Sequence, residues 1–107
     1  MKRYGQIIKV KPEKLAEYKK LHQAVWPEVL SKIKECHIRN YTIFYRDGCL
    51  YSYFEYIGSD YEYDMRRMAE DSITQEWWKL TDPCQQPIET AVKGERWSPM
   101  QEVFHCD

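Results

Sequence analysis

The chain has 107 residues, of which 43% are hydrophobic and 31% charged, a balance that excludes both intrinsic disorder and a membrane span. Sixteen Lys and Arg against seventeen Asp and Glu leave a net charge of −1, so no global field draws in nucleic acid or an anionic membrane. Aromatic residues reach 15% (nine Tyr, four Trp, three Phe), which calls for an aromatic-rich contact surface or a pocket that stacks on a ring.

Residues 4–10 carry Ile7, Ile8 and Val10 in imperfect alternation and predict a first strand. Pro12 stands where a helix tolerates proline, in its first turn. From Glu13 the apolar positions Leu15, Tyr18, Leu21, Val25, Val29, Leu30 and Ile33 follow a helical period. Pro27 interrupts that helix with a kink or a break, and biases Trp26 away from helical geometry. Residues 41–45 and 50–57 are rich in β-branched and aromatic residues and flank Asp47-Gly48, a dipeptide suited to a tight hairpin turn. Ser59 followed by Glu62 has the spacing of a capping box, opening a second helix. Ser72 starts a further helical stretch that contains Trp77-Trp78. Residues 81–99 hold three prolines and Gly94 and read as a connection, and residues 100–106 close the chain as a last strand around Val103 and Phe104.

Strand, helix, strand, strand, helical region, strand is the order of an α+β fold, the ferredoxin-like βαββαβ arrangement: an antiparallel sheet with helices on one face, in a single domain over residues 1–107. The second and third strands carry apolar bulk on both faces, whereas one helical layer covers only one. A homodimer packed sheet on sheet, a dimeric α/β-barrel-type assembly, is the expected remedy. The four cysteines form no Cys-x-x-Cys pair, and residues 1–10 lack the apolar run of a signal peptide. Free thiols in a reducing cytoplasm are expected.

Tyr18 and His22 lie four residues apart and so share a helix face with Leu15, Val25 and Val29. Two polar-tipped side chains then point inward beside an apolar layer. A histidine so placed is either a core residue bonded to a carbonyl or a general acid or base near neutral pH. In Trp77-Trp78, adjacent helical residues diverge by about 100°, so one ring fills core and the other lines a mouth or edge. Apolar sugar faces stack well on such rings. His37 reads as a helix-terminal cation, His105 has no evident partner, and Glu55 is a solvated edge residue or a polar contact for a ligand. Neither zinc spacing nor a phosphate-binding glycine loop is present.

Taken together, Glu17-Tyr18 with His22, Val25-Trp26-Pro27-Glu28, Asn40-Tyr41, Glu55, Trp77-Trp78-Lys79 and Gln101-Glu102-Val103-Phe104 make the chain resemble the L-rhamnose mutarotase family from end to end. The resemblance implies a dimeric ferredoxin-like fold and a cytoplasmic enzyme that interconverts the α and β anomers of L-rhamnose without metal or organic cofactor. It also implies that His22 is the proton donor and that Tyr18, Tyr41, Trp77 and Trp78 bind the sugar. The departure from the family pattern falls in residues 81–99, where Pro83, Cys84 and Pro87 appear. A small dimeric ferredoxin-like monooxygenase or haem-binding protein, and a non-catalytic sugar-binding module, are the rival readings.

Overall fold

The structure, a computed structural model, describes residues 1–107. Strand β1 (Lys2–Val10) leads through a 3-10 turn at Pro12–Lys14 into helix α1 (Leu15–Leu21). Of the expected kink or break, the structure shows a full break. Helix α2 (Pro27–Glu35) starts afresh with Pro27 in its first turn and Trp26 as an extended N-cap at φ −60°, ψ 134°. Strands β2 (Ile38–Arg46) and β3 (Cys49–Tyr56) form the hairpin, and Asp47 and Gly48 take the positive φ values of 49° and 83° that its tight turn requires. Helices α3 (Tyr61–Glu70) and α4 (Ser72–Thr81) follow, then a 3-10 turn at Asp82–Cys84 and the short strands β4 (Gln85–Gln86) and β5 (Ser98–Met100).

Two sequence expectations are corrected. The cap of α3 is Asp60, whose carboxylate accepts from the Tyr63 N–H at 3.1 Å, rather than Ser59; an aspartate one residue on competes for the same free N–H groups. The closing strand stops at Met100, and residues 101–107 are irregular and exposed. In the β5 register Gly5 faces Met100, so β1 runs out at Lys2 before it can pair with residues beyond 103.

The sheet runs β2-β3-β1-β4, entirely antiparallel, and β5 shares the outer edge of β1 with β4. Along β3 burial alternates strictly: Leu50, Ser52, Phe54 and Tyr56 are buried under the helices, while Cys49, Tyr51, Tyr53 and Glu55 face the other way. On the uncovered face Phe44, opposite Tyr51, is 63% exposed, in keeping with apolar bulk on both faces. Only 17 residues are buried, and they fall into two small cores instead of one. Ile8, Val10, Tyr18, Leu50 and Cys84 form the first, and Ile38, Phe54 and Tyr56 the second. A cavity of about 1100 Å³ takes its walls from both.

Candidate active site

One irregularity in β2 shapes this cavity. Arg39 pairs with Glu55 and Thr42 with Tyr53, so Asn40 and Tyr41 together oppose Phe54, a β-bulge. Asn40 absorbs it at φ 54°, a left-handed conformation that asparagine tolerates better than most residues. The extra residue reverses the in–out alternation. Without it Asn40 would point beneath the helices; with it Tyr41 does, and its ring stands edge-on to Phe54 at 5.6 Å. Asn40 turns to the uncovered face and donates to Glu55 at 2.8 Å.

Helix α1 supplies the next two groups. Tyr18 is buried, at 4% exposure, and its ring lies 4.3 Å from that of His22, the residue that caps the helix. His22 Nδ1 sits 2.8 Å from the Tyr18 carbonyl oxygen. A carbonyl only accepts, so Nδ1 carries a proton and donates it. Nε2, which has no protein partner, is left as the nitrogen available to a ligand in the cavity that His22 lines. In the imidazolium form Nε2 is an acid; in the neutral form it is an acceptor.

Helix α4 closes the site from another side. Trp77 is buried and stands edge-on to His22 at 5.6 Å and to Trp26 at 5.3 Å. Its neighbour Trp78, turned about 100° along the helix, is partly exposed and also lines the cavity. The pair thus divides as the helical geometry requires: one ring is core and bears on the histidine, the other belongs to the wall. Tyr18, His22, Tyr41, Trp77 and Trp78 all line the one cavity.

Glu55 does not join them. It lies on the uncovered face, where the Tyr53 hydroxyl donates to it at 2.7 Å alongside Asn40. Those two hydrogen bonds, Tyr53's first, hold its carboxyl below the usual range. His37 follows α2 in a left-handed conformation and is tied by Nδ1 to Asp64 at 2.9 Å, away from the cavity. His105 Nε2 pairs with Asp107 at 2.7 Å.

The connection between α4 and β5 contributes groups that the sequence did not single out: Asp82, Gln85 and Arg96 line the cavity. Asp82 is the one carboxylate in the wall. Arg96 lies 3.8 Å from it by Nε and also donates to its backbone carbonyl at 3.0 Å. Gln85 reaches the Tyr18 hydroxyl at 3.3 Å. Burial pushes the Tyr18 phenol up to about 12 and raises that of Tyr41 as well. Tyr41 keeps 44% of its surface accessible. At neutral pH both phenols stay protonated and serve as hydrogen-bond donors rather than bases.

The arrangement combines a donor-rich aromatic wall with one imidazole nitrogen free of a protein partner, in a space ample for a pyranose ring. Comparisons with known proteins point the same way. The chain is 37% identical to an L-rhamnose mutarotase from Oceanobacillus iheyensis, and 32% identical to one from Bacillus subtilis, each match covering 100% of both chains. A crystal structure of an L-rhamnose mutarotase from Formosa agariphila superposes with a TM-score of 0.77 at 20% identity, over 100% of both chains. Tetracenomycin F2 cyclase from Streptomyces glaucescens shares the fold at a TM-score of 0.67 and 14% identity, over 100% of this chain and 98% of its own. The sequence model of the L-rhamnose mutarotase family matches residues 3–106, and the chain belongs to that family.

Proposed function

We propose that the protein is an isomerase that interconverts the α and β anomers of L-rhamnopyranose, with His22 as the acid that opens the ring. The observation that carries this reading is His22 itself: it lines the cavity, Nδ1 is committed to the Tyr18 carbonyl, and Nε2 is left free of a protein hydrogen bond. Mutarotation protonates the ring oxygen, removes the proton of the anomeric hydroxyl and breaks the bond between the anomeric carbon and the ring oxygen. The resulting aldehyde rotates and the ring closes on its other face. Imidazolium Nε2–H delivers the first proton and recovers it on closure. Tyr18 and Tyr41 donate to sugar hydroxyls, and Trp77 and Trp78 offer ring faces and edges to the apolar side of the sugar. Glu55 is on the wrong side of the sheet to take the anomeric proton, and Tyr18 is too weakly acidic to act as its phenolate. A water molecule or Asp82 is left as the base.

The active protein is proposed to be a cytoplasmic homodimer built through the uncovered sheet face. Exposed Phe44, together with Val103 at 90% and Phe104 at 82% exposure, supplies apolar surface that a monomer leaves in water. No helix is long and apolar enough to cross a membrane, and all four cysteines are free thiols. Polarimetry tests the activity. Freshly dissolved α-L-rhamnose reaches its equilibrium rotation sooner when the protein is present, and an unchanged time course refutes the proposal. Sedimentation equilibrium tests the assembly, with a monomer mass as the contrary result.

A further inference from the structure

Within that functional reading, we propose that Gln85 and Arg96 are positioning residues that fix the Tyr18 hydroxyl as a hydrogen donor to the sugar. Arg96 and Tyr18 both contact the Gln85 side chain, Arg96 from its Nη2 at 3.4 Å to Oε1 and Tyr18 by its hydroxyl at 3.3 Å from Nε2. A guanidinium has donors only, so it settles which end of the amide is which: Oε1 must face Arg96, and Nε2 must face Tyr18. The Tyr18 oxygen therefore accepts from Gln85, and its own proton is directed elsewhere, toward the cavity. Arg96 is itself anchored, by its bond to the Asp82 carbonyl and by the Asp82 carboxylate. Gln85 and Tyr18 are both buried, so water does not rescue a mis-set bond between them. A tyrosine hydroxyl with a freely rotating proton would instead be as ready to accept as to donate.

Gln85→Glu reverses the polarity with almost no change of shape. One carboxylate oxygen still accepts from Arg96, while the other takes the Tyr18 proton and turns it away from the sugar. L-rhamnose binding, followed by calorimetric titration, should weaken about three- to tenfold, as it should in Tyr18→Phe, the worth of one neutral hydrogen bond. The double variant Tyr18→Phe/Gln85→Glu should bind no more weakly than Tyr18→Phe alone, because no hydroxyl is left to misdirect. A role confined to folding would not depend on Tyr18 in this way. Binding by Gln85→Glu at wild-type strength overturns the proposal, as does a loss that persists undiminished in the Tyr18→Phe background. Wild-type binding by Tyr18→Phe overturns it together with the sugar-binding role of Tyr18, which separates the two failures. If Gln85→Glu does not fold, Arg96→Met carries the same test: it frees the amide to flip, and its loss of affinity must again vanish in Tyr18→Phe.

Discussion

Replacing His22 by Asn separates the chemistry of the imidazole from its structural part. The Asn amide N–H takes the place of Nδ1–H and can still donate to the Tyr18 carbonyl, which the His22 backbone N–H also contacts at 3.2 Å. That carbonyl is never left without a donor, so the cost in stability is about 1 kcal/mol or less. Nε2 has no counterpart in Asn. A positioned acid is worth about 10²–10⁴ in rate, or about 3–5 kcal/mol of barrier, and His22→Asn should forfeit it. Saturation-transfer NMR between the anomeric protons of L-rhamnose measures the exchange at equilibrium, and denaturant unfolding of the same sample reports whether the fold survived. A folded His22→Asn protein that exchanges anomers at the wild-type rate refutes the assignment of His22.

Further outcomes follow from the placement of other groups. Trp77 is 5% exposed between His22 and Trp26, so Trp77→Ala should cost about 3–5 kcal/mol of stability by urea unfolding; a loss below about 1 kcal/mol would contradict its place in the core. Glu55→Gln should leave anomer exchange unchanged, because Glu55 faces away from the cavity; a large drop in rate would move the chemistry to the other face of the sheet. Hydrogen bonds from Tyr56, His37 and Arg67, in that order of effect, hold the Asp64 carboxyl at about 2 against an ordinary 3.8. A lowered folded value contributes stability that is complete above the unfolded value and disappears as pH falls through the folded one. The window is therefore about pH 4 to 2, and Asp64→Asn should abolish that part of the acid dependence; identical acid profiles for variant and wild type would count against the network.

What the sequence disclosed was local. Asp47-Gly48 forces its turn through backbone sterics, Pro27 breaks its helix by a missing N–H, and the four-residue spacing of Tyr18 and His22 brings their rings together whatever surrounds them. The hidden parts depend on pairing over distance. The bulge at Asn40 decides which way Tyr41 points, yet it shows only in the register against β3. Gln85 and Tyr18 are 67 residues apart, and nothing in the composition of a proline-rich connection marks it as a cavity wall. Val103 and Phe104 read as strand because their residue types suit one, but a strand needs a neighbour: in the β5 register Val103 meets only the end of β1 at Lys2, and Phe104 lies beyond it.

A crystal structure of the protein with L-rhamnose tests the central claim most directly. The account predicts the pyranose in the cavity, its ring oxygen about 2.6–3.2 Å from His22 Nε2, with the Tyr18 and Tyr41 hydroxyls donating to sugar oxygens. A sugar bound elsewhere, or one that turns its methyl group to His22 and its ring oxygen away, contradicts it.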